Sequence, residues 1–248
     1  MAMRASDFEF RHRSWFILGI FSIGLACYSL DAQNSGEVLA RGLRSHFALW
    51  QALSFKTTIR DVFVGGALIV AFGAVIRAWG AAYLRADVVH DSAVRSERLV
   101  TDGPFRHSRN PLYLGILIGV FGAGVLSSRL GWIVQVVLAV GFCYRLIFRE
   151  EAELLRCHGE DFFAYCRAVP RLVPTLRPRV PASGARPHWR EALATQTPWW
   201  AIATGELAYA ASLRLSIAIL VALVGIPIQL VQKRAVSIRR LASTKGVR

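Results

Sequence analysis

Two short polar segments carry the side chains best suited to chemistry. The first, GPFRHSRNPLYLG at residues 103–115, gathers arginines, a histidine and a tyrosine where an apolar run begins. A helix that starts here presents its positive end, which favours binding of an anion. The second contains Glu150 and Glu151, followed by aromatic residues and VPRLVP at residues 169–174. Adjacent helical positions face different sides, so we expect at most one of the two glutamates to face a pocket.

Each segment also has a purely structural interpretation. Asparagine is a preferred N-cap and proline is favoured at the first position of a helix, which accounts for Asn110 and Pro111. Arg149 and Glu153 have the spacing of an i,i+4 ion pair on a solvated face. Convergence of the two segments at one place would favour a binding site instead, and it depends on how the apolar runs between them are arranged.

The composition indicates an integral membrane protein. Of the 248 residues, 54% are hydrophobic and 19% charged, and the mean hydropathy is +0.40, which is too apolar for a soluble domain. Disordered, collagen-like and disulfide-stabilised secreted classes are excluded. The formal charge of +14 comes mainly from arginines in loops, which indicates contact with anionic membrane lipids rather than nucleic acid. The four cysteines form no CxxC pair, and no metal site is predicted.

The first two apolar runs, at residues 15–30 and 62–84, are interpreted as membrane spans. In the second run, three glycines recur every seven residues and form a face for close helix packing. Arg77 lies on that face, where it either reaches a polar pocket or extends toward the headgroups.

The next two runs, at residues 112–128 and 130–144, are uncharged and are separated only by Arg129. This pattern predicts a tight helical hairpin. Because its arms are nearly equal in length, residues 104–111 and 149–156 should be neighbours at one membrane face.

The distribution of basic residues predicts the orientation. Lysines and arginines number 16 on the side of the hairpin's open end and 5 on the other, so the positive-inside rule places the open end in the cytoplasm. The apolar tract at residues 199–231 is too long for one span. It forms either one span after an interfacial stretch or two short arms that turn near Arg214. Prolines at intervals through residues 170–187 indicate a non-helical linker.

Together the polar segments resemble the isoprenylcysteine carboxyl methyltransferase family and its phospholipid methyltransferase relatives. The resemblance covers about residues 62–178 and rests on GPFRHSRNPLYLG, on the EExxL pattern of Glu150, Glu151 and Leu154, and on VPRLVP. The family motif commonly reads Arg-His-Pro-x-Tyr-x-Gly. Asn110 stands at its His position, where the amide can still cap a helix or bind a ligand.

The resemblance implies a membrane methyltransferase that uses S-adenosyl-L-methionine as methyl donor and acts on a lipophilic or prenylated acceptor. Such a site combines a carboxylate for the donor's ammonium, a cation or amide for its carboxylate, and aromatic walls for adenine. The candidate cofactor-binding residues are Asn110, Pro111, Tyr113, Glu150, Glu151 and Tyr165.

The candidate catalytic residues depend on the acceptor. A carboxylate acceptor, as in isoprenylcysteine, needs no general base, and Arg106, Arg109 or Arg171 could orient it by a bidentate contact. Arg77 is a further candidate for that role. An amine acceptor must lose a proton, for which His107 or a glutamate is the first candidate.

We therefore predict an all-α, multi-pass integral membrane protein with its active site facing the cytoplasm. It has a bundle of four core transmembrane helices and a C-terminal hydrophobic extension of one or two further spans. The predicted divisions are an N-terminal span and loop (1–58), a methyltransferase core (59–178), and a linker, hydrophobic tract and basic tail (179–248). The alternatives are an NADPH-dependent sterol or ene reductase and a non-enzymatic membrane protein anchored by its polar clusters. The oligomeric state stays open.

Overall fold

The structure, a computed structural model, describes residues 4–84, 99–221 and 224, and this part of the chain is helical without strands. Short 3₁₀ turns at Cys27–Ser29, Gly103–Arg106 and Gly124–Leu126 join some of the helices. In chain order the α-helices are α1 (Asp7–Arg11), α2 (Arg13–Ala26), α3 (Ser35–His46), α4 (Ala48–Gln51), α5 (Phe55–Tyr83), α6 (Pro111–Ala123), α7 (Arg129–Ala168), α8 (Trp189–Ala194) and α9 (Thr197–Ser212).

The close packing predicted for the glycine face of α5 is confirmed by its contact with α6. A Cβ atom placed on Gly73 would lie 2.6 Å from the carbonyl oxygen of Gly115 and 2.9 Å from the amide nitrogen of Gly119. The two backbones therefore touch without intervening side chains, as in small-residue helix interfaces. The stem of Arg77 crosses α6 at Gly115, where any side chain would collide with it.

The predicted hairpin is confirmed. The chain turns at Ser127 and Ser128, and the Ser128 Oγ accepts a hydrogen bond of 3.0 Å from the Gly131 amide to cap α7. α7 is longer than the predicted arm and continues to Ala168. It is interrupted only at Gly159, whose φ of 51° favours glycine.

The hairpin tip is held by a buried network of neutral groups. The Ser35 Oγ donates to the carbonyl of Ser127 (2.8 Å), and the Ser127 Oγ donates to the Gln135 Oε1 (2.9 Å). The Gln135 amide donates to the carbonyl of Phe21 on α2 (3.2 Å). Outside this network, Arg129 forms an exposed ion pair with Asp31.

Two helices differ in extent from the sequence prediction. α5 begins at Phe55, capped by Ser54, rather than at residue 62, because the charged residues before Val62 fit the surface of a helix as well as a loop. In the C-terminal tract, α9 ends at Ser212, and the φ of the following residue, Leu213, is 54°. This break lies where the two-arm interpretation puts it, next to Arg214, but the end of that tract and the basic tail lie outside the described residues.

α9 packs into the main bundle. Trp199 and Ala203 belong to the same buried cluster as Val70, Val120 and Leu146. The C-terminal extension therefore supplies part of the core that surrounds α5 and α6.

Within the described residues, α5 and α7 are the helices long and apolar enough to cross a membrane. The apolar helices at Arg13–Ser29 and Pro111–Leu126 are shorter. A core of four transmembrane helices stays a prediction.

The proline-rich linker is non-helical, as predicted, and residues 170–188 form a strap along residues 102–109. The Thr175 amide donates to the His107 carbonyl (3.0 Å), and the Arg179 amide donates to the Arg106 carbonyl (2.9 Å). The Asp102 carboxylate accepts hydrogen bonds from the amides of Ser183 (2.7 Å) and Ala185 (2.9 Å). Burial raises the pKa of Asp102, but these hydrogen bonds outweigh burial and leave the pKa below its ordinary value.

Candidate functional site

The hairpin brings the two polar segments together at its open end, as the sequence predicted. The Asn110 side-chain amide donates to the Glu151 Oε1 over 3.1 Å, and the Tyr113 hydroxyl donates to the Glu150 Oε1 over 2.7 Å. Adjacent glutamates of α7 thus take different partners at the start of α6. The sequence analysis expected at most one of the two glutamates to face the site, but both side chains contact the start of α6.

Glu151 lies between two arginines. Its Oε1 is 3.3 Å from Arg109 Nη1, and its Oε2 is 2.9 Å from Arg171 Nη2. The side chains of Glu151 and Arg109 are 11% and 12% exposed, whereas that of Arg171 is 39% exposed. The carboxylate is therefore held on one side by a buried guanidinium and on the other by an accessible one.

Arg109 has an unused donor. Its Nη1 also contacts the Cys166 Sγ at 2.7 Å, but its Nε is buried and has no hydrogen-bond partner in the described part of the chain. A buried N–H without an acceptor is unfavourable, and an arginine N–H is a strong hydrogen-bond donor to an anionic ligand.

Asn110 does not act as the predicted side-chain cap. It occupies the N-cap position of α6, but its amide donates to the Arg171 carbonyl (3.0 Å) and to Glu151 rather than accepting from the helix. Pro111 is buried at the first position, as expected from its fixed φ. Because no side chain caps this helix start, its positive end stays directed at the site.

Arg171 is carried into the site by the strap. The Arg109 amide donates to the Pro170 carbonyl (2.9 Å), which fixes the first strap residue beside α6. The Arg171 guanidinium lies over the Phe148 ring, 4.9 Å from its centroid. Its hydrogen bond to Glu151 raises the pKa of Arg171 above its ordinary value, so the group is permanently charged.

Three predicted site residues lie where the strap packs against residues 102–109, rather than beside the glutamates. Arg106 Nε donates to the Val180 carbonyl (2.8 Å), and His107 Nδ1 is 2.7 Å from the Thr175 carbonyl. The Tyr165 hydroxyl donates to the Phe105 carbonyl (2.7 Å). Their parts in catalysis and cofactor binding stay predictions.

Arg77 is inside the bundle and does not extend toward the headgroups. Its Nε donates to the Gln196 Oε1 (2.8 Å), and its Nη1 donates to the Leu112 carbonyl (3.0 Å). Its guanidinium lies 5.7 Å from the Trp199 ring centroid. It therefore ties the start of α6 to the C-terminal extension.

The sequence interpretation missed the part that α1 takes at the open end. Glu9 binds Arg145 at 2.8 Å and Asp7 binds Arg149 at 2.6 Å, so the predicted pair of Arg149 with Glu153 is wrong. Glu153 pairs with Arg156 instead. A sequence signal for these two ion pairs was present. Asp7 and Glu9 lie in the first turn of α1, and Arg145 and Arg149 are four residues apart on α7.

Within residues 4–84, 99–221 and 224, no group of three or more His, Cys, Asp or Glu side chains is placed to hold a metal ion.

Residues 61–161 match the model of a known protein family, that of the phospholipid methyltransferases. The resemblance drawn from the motifs is thereby confirmed at the level of the family. The matching segment includes Arg109, Asn110 and both glutamates but ends before Arg171. The two long apolar helices, together with the match to this family, indicate a membrane protein.

Two curated relatives are similar to part of this chain. The chain is 32% identical over 111 residues to the cobalt-zinc-cadmium resistance protein CzcN of Cupriavidus metallidurans, covering 45% of this chain and 48% of the relative. It is also 32% identical over 111 residues to the nickel-cobalt-cadmium resistance protein NccN of Alcaligenes xylosoxydans xylosoxydans, covering 45% and 49%. The chain thus spans about half the length of the curated relatives it matches. No solved structure matches it.

Proposed function

We propose that this chain is an S-adenosylmethionine-dependent membrane methyltransferase that acts on a lipophilic acceptor. The observation that carries the proposal is the buried Arg109 Nε, which has no hydrogen-bond partner among the described residues although the side chain adjoins Glu151. An unsatisfied buried donor costs about 1–3 kcal/mol, and an anionic ligand at the start of α6 would remove that cost. The family match supplies the class of reaction.

The open end fits the amino acid part of S-adenosylmethionine. The carboxylate of that molecule would accept from Arg109 Nε and from the uncapped amides of α6, and its ammonium would bind Glu150 or Glu151. Asn110, Pro111 and the aromatic residues Tyr113 and Tyr165 complete the candidate cofactor-binding set. When bound, the donor supplies an electrophilic methyl group attached to a sulfonium.

The ion cluster of Glu151, Arg109 and Arg171 can lose one contact without leaving the Glu151 carboxylate unpaired. Glu151 has two guanidinium partners, so it can release one and keep a counter-ion. Arg171 is the partner that would move, because it is the more exposed of the two and sits on the non-helical strap. A released Arg171 would then be available to orient a second anion.

We infer that this second anion is the carboxylate of an isoprenylcysteine-like or related lipid acceptor. A carboxylate oxygen is already a nucleophile, so the protein needs only to position it and exclude water. Arg171, Arg109 and Arg106 would orient it. If the acceptor is an amine, the second ring nitrogen of His107 would be the first candidate to take the proton, since Nδ1 faces the Thr175 carbonyl.

The proposed topology is multi-pass, with four core spans and the open end of the hairpin in the cytoplasm. The apolar helices at Arg13–Ser29 and Pro111–Leu126 would be the spans added to α5 and α7. In this arrangement residues 59–178 form the methyltransferase core. Its lipophilic substrate would enter from the surrounding membrane lipids, between helices.

The deciding measurement is the thermal stability of the purified full chain with S-adenosylmethionine, S-adenosylhomocysteine or NADPH. A ligand that binds only the native state raises apparent stability by mass action. We expect stabilisation by the first two ligands, and loss of it in Arg109→Gln but not in the matched control Arg167→Gln, an exposed arginine of α7. Stabilisation by NADPH alone would indicate the reductase, and folded protein with no response to any ligand would contradict the proposal.

A second measurement addresses the acceptor. Membranes and lipid extracts would be incubated with methyl-labelled donor, and the label would be tested for release as a volatile product in base. Methyl esters release it, whereas N-methyl groups do not. Because the relatives are named for resistance to metal ions, sensitivity of a deletion strain to cobalt, zinc and cadmium is an additional readout.

A further inference from the structure

The strap at residues 170–188 lies at the level of the membrane boundary. Its first residue is held beside the start of α6, because the Arg109 amide donates to the Pro170 carbonyl (2.9 Å). Its last residue is held at the end of α5, where the His188 amide donates to the Ala82 carbonyl (2.7 Å). α5 is long and apolar enough to cross a membrane, and its apolar run continues to its end. The strap therefore runs where the hydrocarbon core meets the lipid headgroups.

The strap is rich in arginine and has no acidic residue. Its four arginines are Arg171, Arg177, Arg179 and Arg186. No Asp or Glu occurs anywhere in residues 162–190. Arg171 pairs with Glu151, whereas the other three side chains are exposed and form no ion pair with the residues that the structure describes.

Exposed arginines elsewhere in the molecule have carboxylate partners. Arg129 pairs with Asp31, and Arg156 pairs with Glu153. The Asp102 carboxylate does bind the strap, but it accepts hydrogen bonds from two backbone amides there and not from a guanidinium. Within the described ranges, the strap thus presents fixed positive charges without counter-ions, and an anionic surface would supply them.

Apolar side chains project from the same segment. Leu176 is 100% exposed and Val173 is 75% exposed, and Trp189, which follows the strap, is 44% exposed. The Thr175 and Arg179 amides hold the strap backbone against the segment before α6, so these side chains lie on its outer side. Arginines beside exposed aliphatic and tryptophan side chains are typical of segments in a membrane interface. There the apolar groups contact hydrocarbon and the guanidinium groups reach phosphate.

We propose that the outer side of the strap is a binding surface for anionic phospholipid. The lipid phosphates lie against Arg177, Arg179 and Arg186, and Leu176 and Val173 enter the acyl region. Zwitterionic lipid brings no net charge to the arginines, and a nucleic acid would leave the apolar side chains in water. The net charge of the chain does not single out this segment, because it counts paired and unpaired arginines alike. The surface depends on the membrane location of the chain and not on methyl transfer.

The chain offers matched variants. Arg177→Gln/Arg179→Gln removes two charges from exposed side chains, and Arg177→Lys/Arg179→Lys keeps both charges. Lys56→Gln/Arg60→Gln is the control, because it removes two exposed charges at the other end of α5. Leu176→Ser removes the most exposed apolar side chain of the strap.

The experiment measures amide hydrogen exchange of the strap by mass spectrometry. The full chain is placed in nanodiscs of phosphatidylcholine with or without phosphatidylglycerol. In the wild type, phosphatidylglycerol should slow exchange in residues 172–180 at least about fivefold, the effect of one arginine near an anionic surface. This protection should weaken at high salt, because salt screens exposed charges.

The variants should separate charge from position. We expect protection to be lost in Arg177→Gln/Arg179→Gln and reduced in Leu176→Ser. It should be kept in Arg177→Lys/Arg179→Lys and in Lys56→Gln/Arg60→Gln.

Three results would overturn the proposal. Equal exchange of the wild type in the two kinds of nanodisc would exclude anionic lipid and favour an acidic protein as partner. Full protection in Arg177→Gln/Arg179→Gln would place the lipid elsewhere. Protection by dissolved glycerol phosphate in phosphatidylcholine nanodiscs would indicate a soluble anion. If the glutamine variant fails to fold, the lipid and salt dependence of the wild type decides the question. Response to S-adenosylmethionine, measured on the same samples, shows separately whether the methyltransferase proposal holds.

Discussion

The two ends of the hairpin are built from opposite kinds of polar chemistry. At the tip, buried neutral groups such as Ser35, Ser127 and Gln135 satisfy one another. At the open end, Glu151 binds two arginines, and the Nε of Arg109 has no partner in the part of the chain that the structure describes. A fully satisfied neutral network fixes one conformation, whereas an ion cluster with an accessible member can exchange partners with a ligand. The ligand site proposed above therefore lies at the open end, and the tip gives the two arms their register.

The largest effect expected is on the ion cluster. Glu151→Gln removes the shared counter-ion of Arg109 and Arg171, and truncating one member of a buried charge pair costs about 2–5 kcal/mol. Affinity for S-adenosylhomocysteine should fall at least about 30-fold, since each factor of ten corresponds to about 1.4 kcal/mol. Equilibrium binding of labelled ligand measures it. Glu153→Gln, in an exposed pair with Arg156, is the matched control and should bind normally.

Next in size is a change midway between the two ends. Gly73→Ala would press a methyl group against the backbone of α6, so α5 and α6 must separate, at a cost of about 1–3 kcal/mol. Thermal unfolding should show the loss, while Gly65→Ala, which enters open space, should leave stability nearly unchanged. Equal stability of the two variants would mean that the helices are not in backbone contact.

A smaller loss is expected at the tip. Gln135→Leu leaves the Ser127 hydroxyl and the Phe21 carbonyl without their partner, which costs about 1–3 kcal/mol at a buried site and less where the groups find new partners. Thermal stability should fall without a change in ligand affinity measured well below the transition. Ser22→Ala, at an exposed serine, serves as control. Reduced ligand affinity in Gln135→Leu would contradict the separation of roles between the two ends.

The smallest effect expected is the pH dependence of stability that comes from the ion pair between Glu9 and Arg145 at the open end. The hydrogen bond from Arg145, with that from the Ser6 amide, lowers the pKa of Glu9 from 4.5 to about 2. A carboxylate with a depressed pKa stabilises the fold fully above pH 4.5 and loses this contribution as the pH falls toward 2. Because Arg145 is 37% exposed, the contribution should be below about 1 kcal/mol.

Melting curves between pH 6 and pH 3 test this expectation. The difference in stability between the wild type and Glu9→Gln should shrink as the pH falls. Asp7→Asn, at a side chain that is 86% exposed, is the matched control. A difference that is constant with pH would exclude titration of Glu9 as its source.

The hairpin could be predicted from the sequence because two uncharged runs separated by Arg129 leave little choice of arrangement. The meeting of Asn110 with Glu151 followed from the equal arms. The pairing of the strap with residues 102–109 could not be predicted, since backbone hydrogen bonds between irregular segments leave no periodic pattern. The burial of Glu206 could not be predicted either, because a carboxylate in an apolar tract usually marks the end of the tract.

Because Arg171 lies on the strap, it joins the ion cluster around Glu151 late in the synthesis of the chain. A ribosome completes both arms of the hairpin before it adds the strap, so the nascent Glu151 has only Arg109 as an arginine partner. A chain that stops at residue 161 would keep the whole family-matching segment. It would still lack Arg171, as well as the Gln196 and Trp199 that hold Arg77. Premature termination or recombination at that boundary should therefore yield a fragment that still matches the family but lacks Arg171.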